Sequence, residues 1–280
     1  MTKFLKQFFT RDRIDVDKRL LVPIIIFQPG KVGSLTVNHS LEESFRRLKV
    51  STPIHHSHAL NRLDEREKFV KETRKNPGAS LKLIQEWKEL RQKIDANPAQ
   101  QWNVINLVRE PVAMKVSALF HLLDQHIPDW QERHQKGQLA MSEIDELFYS
   151  KQEFGFRGLD QWYDNQIKAL WNIDVFATAF PVEKGYQIYE SPQINLLILR
   201  LEDLNRVAAQ AFQDFMGLNE FTLLNVNVGD EKSYADLYKQ FKSFALPSDY
   251  VKEAYETRYA HHFYRPEELE TFQKRWLKQI

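Results

Sequence analysis

Two short segments carry the residue types that grip phosphate or sulfate. The first is Lys31-Val32-Gly33-Ser34-Leu35-Thr36, preceded by Pro29-Gly30. A glycine-containing turn that feeds a helix leaves backbone N–H groups unpaired at the positive end of the helix dipole. Ser34 and Thr36 add hydroxyl donors and Lys31 adds a point charge. The loop is not a Walker A motif, because its lysine precedes Gly33 instead of following the last glycine. A plain strand-to-helix turn with a capping serine is the alternative. The second segment is Val108-Arg109-Glu110-Pro111, with Ser117 eight residues after Arg109. An arginine at a strand end forks onto an anion, and a serine two turns into the next helix reaches toward the same group. The alternative there is a surface pair between Arg109 and Glu110 plus an ordinary helical serine.

A third segment, Ile54-His55-His56-Ser57-His58, supplies imidazoles. Histidine is the side chain suited to taking a proton near neutral pH. His58 is the first candidate base and His56 the second, with His39 and Glu42 in reserve. A polar loop is one alternative. A metal site is another, although no cysteine and no clear third carboxylate accompany the His-x-His pair.

These residues need a scaffold that delivers them to one place. Residues 20–28 form a short apolar run ending at Pro29-Gly30, which predicts a buried strand with Pro23 near its entry. Val37, Leu41, Phe45 and Leu48 recur at helical spacing and predict an amphipathic helix over 37–48. Residues 50–56 predict a second strand, 62–95 surface helices, 102–108 a third strand, and 112–123 a helix opened by Pro111. Residues 124–160 read as polar and irregular with weak helical patterns. Residues 161–171 read as helix, 173–176 as a brief strand and 195–201 as a strand. Residues 203–216 read as a helix stopped by Gly217. The last third is mostly helical, with Ser248 as an N-cap and Pro266 in the first turn of the final helix. Strands alternating with helices imply a mainly parallel sheet, whose ligands lie beyond the carboxyl ends of the strands. All three candidate segments follow predicted strands.

Composition narrows the options. The chain has 280 residues, 39 Lys plus Arg against 38 Asp plus Glu, and a formal charge of +1. A dedicated nucleic-acid binder usually carries a strong positive excess. The absence of cysteine excludes disulfides, thiolate metal sites and a thiol nucleophile, and fits a reducing compartment. No apolar run approaches the roughly 20 residues of a spanning helix. Residues 1–9 read as a docked or frayed terminal helix, with a membrane-surface contact as the alternative. The expected location is cytoplasmic, and the expected organisation is one domain over 1–280. In that domain 1–19 are an N-terminal extension and 60–98 and 124–160 are helical insertions.

Taken in this order and spacing, the segments resemble a known superfamily. Lys31-Val32-Gly33-Ser34-Leu35-Thr36 resembles the 5′-phosphosulfate-binding loop of sulfotransferases that use 3′-phosphoadenosine 5′-phosphosulfate (PAPS). Arg109-Glu110-Pro111 with Ser117 resembles their 3′-phosphate-binding strand and helix. The run from Leu197 to Leu204 is similar to a strand-plus-EDL segment of the same proteins. The chain from about residue 20 to 276, including Phe263-Tyr264-Arg265-Pro266 and Lys274-Arg275-Trp276, also looks like the bacterial group described as "putative capsular polysaccharide synthesis" proteins.

The resemblance implies a P-loop-like α/β sulfotransferase fold with a central, mainly parallel sheet flanked by helices and a helix-rich C-terminal part. It implies PAPS as co-substrate, no metal, and a hydroxyl of a carbohydrate or glycan-like acceptor. By position, Lys31 would contact the bridging oxygen of the leaving phosphate. Val32, Gly33, Ser34, Leu35 and Thr36 would form the 5′-phosphate loop, and Arg109 and Ser117 would hold the 3′-phosphate. His56-x-His58 resembles the histidine pair of heparan-sulfate uronyl sulfotransferases, where a histidine is the base. Where family members often place another basic residue before the lysine, this chain has Gln28-Pro29-Gly30. A catalytically inactive sulfotransferase-fold binding protein and a P-loop kinase-like nucleotide enzyme are the competing readings.

Overall fold

Ile24–Phe27 form an inner strand of the sheet, and all four side chains are buried. Such a β-branched run, apolar on both faces, suits a strand covered on both sides by helices. The computed structural model describes residues 17–74, 76–150, 156–224 and 233–278. The expectation for residues 1–9 lies outside them.

In chain order the strands are β1 Ile24–Phe27, β2 Ile54–Ser57, β3 Trp102–Val108, β4 Tyr186–Glu190 and β5 Ile194–Arg200. The helices before β4 are α1 Ser34–Leu48, α2 Leu63–Thr73, α3 Gly78–Ala96, α4 Pro111–His121, α5 Leu123–His126, α6 Trp130–Gln135, α7 Met141–Ser150, α8 Arg157–Trp162 and α9 Ala169–Trp171. After β5 come α10 Leu204–Met216, α11 Ala235–Ser243, α12 Ser248–Tyr255, α13 Arg258–Phe263 and α14 Pro266–Leu277. A π-helical turn, Tyr163–Lys168, joins α8 to α9.

The strands form one sheet in the order β2-β1-β3-β5-β4. β2, β1, β3 and β5 are parallel, and β4 runs antiparallel to β5. Ile24 is level with Ile54 on one side and Asn103 on the other, while Trp102 is level with Ile194. The chain leaves β1 toward β2 but leaves β3 toward β5. Their outgoing connections therefore run to opposite sides, which makes the carboxyl ends of β1 and β3 the topological switch point, the place where such sheets bind ligands.

The large core covers both faces of the sheet, with Val37, Leu41 and Phe45 from α1 and Val112, Val116 and Leu119 from α4 among its members. Burying each such side chain contributes about 1.5–3 kcal/mol. The α2–α3 hairpin has a small core of its own, made of Ala59, Leu63, Val70, Ile84 and Trp87.

Several boundaries differ from the sequence reading. The first strand spans only part of 20–28, because Lys18–Leu21 wind into a 3-10 turn capped by Asp17 and Pro23 donates no hydrogen bond. The second strand starts at Ile54 because Pro53 precedes it; the Pro53 carbonyl accepts from Ile24 N–H at 2.9 Å. Residues 173–176 are not a strand. The Asp174 carboxylate accepts from Phe176 N–H at 3.1 Å and folds Val175–Ala177 into a 3-10 turn. β4 went unread because it is a half-exposed edge strand with mixed composition. The polar stretch 124–160 is largely helical in its described part, as short helices α5 to α8. Ser248 is the first residue of α12 and not its cap, a position held by Pro247. Gly217 does close α10, at φ 72°, and Pro111 and Pro266 do open α4 and α14.

Candidate functional site

The loop after β1 runs into α1 without a side-chain cap. Gly33 precedes α1 at φ 86°, and no side chain caps the helix or places an acid in its first turn. Hence Ser34 is the first helical residue and not a capping serine. Thr36 N–H turns back to the Gly33 carbonyl at 3.2 Å. A Cβ on Gly33 would meet Leu201 Cδ1 at 2.6 Å, so glycine answers both the left-handed backbone and the close approach. Lys31 also adopts a left-handed conformation, φ 72°, which costs a side-chain-bearing residue about 1–2 kcal/mol. Such strain persists where surrounding contacts enforce it. Val32 is buried and anchors the loop, whereas Leu35 is exposed.

One of those contacts comes from Arg109 at the end of β3. Its Nη1 donates to the Lys31 carbonyl at 3.0 Å, bridging the two strand ends across the switch point. The Tyr259 hydroxyl fixes the backbone beneath it, accepting from Arg109 N–H at 2.9 Å and donating to Arg109 O at 2.8 Å. Among the described residues no carboxylate forms an ion pair with Arg109. The alternative, a surface pair with Glu110, does not form, because Glu110 turns inward and is buried. Its carboxylate caps α4 by accepting from Val112 and Ala113 N–H, both at 2.8 Å. It also accepts from the Tyr255 hydroxyl, from Arg275 Nη2 at 3.0 Å and from Trp276 Nε1 at 3.2 Å. Thus Glu110 ties α4 to α12 and α14. Ser117 lies half-buried two turns into α4, without a hydrogen bond among the described residues to Arg109 or the loop.

The histidines arrive from β2, on the other side of β1. His55 points toward Trp102, with ring centroids 6.0 Å apart, and is separate from the other two. His56 lies at the exposed lip of the loop, its Nε2 3.0 Å from Gln28 Nε2 and 3.1 Å from Ser34 Oγ. The Gln28 amide nitrogen can only donate, so His56 Nε2 accepts from it. Desolvation, and secondarily the charge of His58, lower His56 to about 4. His58 is 4.8 Å from it, centroid to centroid, at 77°. The Nδ1 of His58 donates to the Gln28 carbonyl at 2.9 Å, which leaves Nε2 as the basic nitrogen. Burial lowers the His58 pKa. The bond to Gln28 opposes that shift, and the charges of Arg66 and Lys31 reinforce it. The reserve bases stand apart, since His39 and Glu42 pair with each other at 3.3 Å on the exposed face of α1.

The end of α8 and the π-helical turn that follows it support this cluster. Trp162 Nε1 donates to the His58 carbonyl at 3.0 Å. Gln166 Oε1 accepts from Leu60 N–H at 2.9 Å and Asn61 N–H at 3.0 Å. Sequence reasoning missed Tyr259, Trp162 and Gln166, because their roles come from contacts about 100 to 150 residues away along the chain. The Leu197–Leu204 run is structural: Glu202 accepts from Glu110 N–H at 2.7 Å and the Tyr264 hydroxyl at 3.0 Å, and Asp203 pairs with buried Arg200 at 2.9 Å. Among the described residues no group of three His, Asp or Glu side chains is placed to hold a metal ion. None of the described helices is long and apolar enough to cross a membrane.

The described residues bring the N-terminus of α1, the Lys31 loop and Arg109 together at the ends of β1 and β3, with His56 and His58 on the neighbouring strand. These residue types have the chemistry to hold an anion and to take up a proton. Against known proteins, residues 130–265 match a family described as "NKWYS: Putative capsular polysaccharide synthesis protein". The match links just under half of the chain with polysaccharide synthesis. It includes Trp162, Gln166 and Tyr259 but not Lys31, His56, His58, Arg109 or Ser117. No curated protein and no solved structure matches the chain.

Proposed function

We propose that the protein transfers a sulfuryl group from PAPS to a hydroxyl of a glycan-like acceptor. The observation that carries this reading is the bridge from Arg109 to the Lys31 loop at the switch point, because one doubly phosphorylated adenosine needs cations at both of its ends. The match of residues 130–265 to a polysaccharide-synthesis family supports the acceptor class.

In the proposed reaction Gly33, Ser34, Leu35 and Thr36 hold the 5′-phosphate with backbone and hydroxyl donors. Arg109, with Ser117, takes the 3′-phosphate. The acceptor oxygen attacks sulfur in line, its proton passes to His58 Nε2, and the bond from sulfur to the bridging oxygen breaks. Lys31 stabilises the negative charge that develops on that oxygen. The products are the sulfate ester and adenosine 3′,5′-bisphosphate. The orientation of His58 by the Gln28 carbonyl supports its role as base over His56, whose Nε2 already faces Gln28 and Ser34.

The test is transfer of labelled sulfate from PAPS to a panel of bacterial glycans. Wild type labels at least one glycan, and His58→Ala loses about a hundredfold or more in rate, within the range assigned to general bases. Labelling unaffected by His58→Ala contradicts the mechanism. Nucleotide binding without labelling of any glycan favours an inactive binding protein. Stabilisation by ATP-Mg and not by adenosine 3′,5′-bisphosphate favours a kinase-like enzyme.

A further inference from the structure

Pairing of β1 with β3 runs as far as Ile26 and Ile105. Beyond that level two side chains of the β3 segment reach across to the β1 side. Asn106 Nδ2 donates to the Phe27 carbonyl at 2.7 Å, and Arg109 Nη1 donates to the Lys31 carbonyl at 3.0 Å. Each of these bridges is held in turn by a buried tyrosine. A backbone carbonyl only accepts, so the Asn106 atom facing Phe27 is the NH2 group, and Asn106 Oδ1 accepts from the Tyr163 hydroxyl at 2.8 Å. The bond from Tyr163 thereby fixes which way the amide points. Tyr259 holds the second bridge, its hydroxyl bonded to both backbone groups of Arg109 at 2.9 and 2.8 Å.

The two tyrosines sit on different elements yet form one unit. Tyr163 opens the π-helical turn after α8, and Tyr259 lies in the first turn of α13. Asp160, one turn before Tyr163, accepts from Tyr259 N–H at 2.7 Å and from Arg258 N–H at 3.2 Å, which pins the start of α13 to α8. The tyrosine rings lie 6.0 Å apart, and Phe263 packs against them at 5.6 Å and 5.1 Å. Phenylalanine would serve that ring packing equally well, and a buried hydroxyl is tolerated only when it is paired. What the two hydroxyls add is the hold on the bridges between β3 and the β1 side.

Building on the sulfuryl-transfer reading, we infer that Tyr163 and Tyr259 are positioning residues for the nucleotide. Tyr163 sets the 5′-phosphate loop through Asn106, and Tyr259 sets the arginine that takes the 3′-phosphate. The test compares calorimetric affinities for adenosine 3′,5′-bisphosphate and adenosine 5′-monophosphate in wild type, Tyr163→Phe, Tyr259→Phe and Tyr186→Phe. The last variant is the control: it removes a buried tyrosine's bond to Asp214, 2.6 Å long, on the edge strand β4. Tyr259→Phe lowers the preference for the bisphosphate about fivefold or more and leaves monophosphate affinity within twofold. Tyr163→Phe weakens both nucleotides about fivefold or more and leaves their ratio within twofold. Tyr186→Phe leaves both affinities within twofold. Should Tyr163→Phe not fold, Asn106→Ala probes the same bridge from its other side. Wild-type binding that persists unchanged in Tyr163→Phe and Tyr259→Phe overturns this inference alone. Equal losses for both nucleotides in Tyr259→Phe also overturn it, because they mark a merely structural role. Failure of wild type to bind either nucleotide overturns the sulfuryl-transfer reading, and this inference with it.

Discussion

Glu110→Gln isolates the joint that holds Arg109 in place. The native carboxylate is buried and accepts from five donors: two backbone N–H groups of α4, Tyr255, Arg275 and Trp276. Glutamine keeps the shape but presents an amide NH2 where one oxygen stood. With the amide oxygen retained toward Val112 and Tyr255, the nitrogen faces Ala113 N–H, Arg275 and the Trp276 indole. Arg275 is half exposed, so its lost pairing counts for little. Trp276 is buried, and its orphaned N–H costs about 1–3 kcal/mol. A weakened helix cap adds about 1 kcal/mol. The expected loss is therefore ~3 kcal/mol, a large part of the 5–15 kcal/mol typical of a folded protein. Urea unfolding measures it directly. Repeating the substitution in a Trp276→Phe background, where the indole donor is already gone, should shrink the loss. A loss under about 1 kcal/mol, or no coupling with Trp276, would refute the assignment of Glu110 as the tie between α4 and α14.

Two other perturbations address the loop and the imidazoles. Gly33→Ala forces a Cβ into left-handed backbone beside Leu201 and should cost about 1–2 kcal/mol. It should also weaken adenosine 3′,5′-bisphosphate binding tenfold or more, and unchanged melting and binding would contradict the geometry. His56, followed by NMR, should titrate near 4 and stay neutral at pH 6. Because the folded imidazole resists protonation, the unfolded chain binds the extra proton as pH falls below about 6.5. Stability should therefore decline from about pH 6.5 toward 4, less steeply in His56→Gln; a His56 midpoint at 6.5 or above would contradict this.

The parts of this molecule legible in its sequence are those set by local pattern. Residues 102–108 form a strand because seven consecutive residues suit a covered sheet position, and Pro111, Gly217 and Pro266 mark helix ends through their own backbone limits. The Lys31 loop and Arg109 could be named because each follows a strand, and parallel topology brings strand ends together. The role of Glu110 was not legible, since nothing local reveals that Trp276 and Tyr255 converge on it. For the same reason Trp162 and Gln166, which fix the His58 loop, carried no signal. Asp174 shows the converse: one capping carboxylate turned an apolar fragment that reads as a strand into a 3-10 turn.

Calorimetric titration of adenosine 3′,5′-bisphosphate and adenosine 5′-monophosphate into wild type and Arg109→Ala tests the donor-site claim most directly. The account predicts that wild type prefers the bisphosphate at least tenfold and that Arg109→Ala erases the preference while still binding the monophosphate. Equal affinity of wild type for the two nucleotides, or a preference that survives Arg109→Ala, would contradict it.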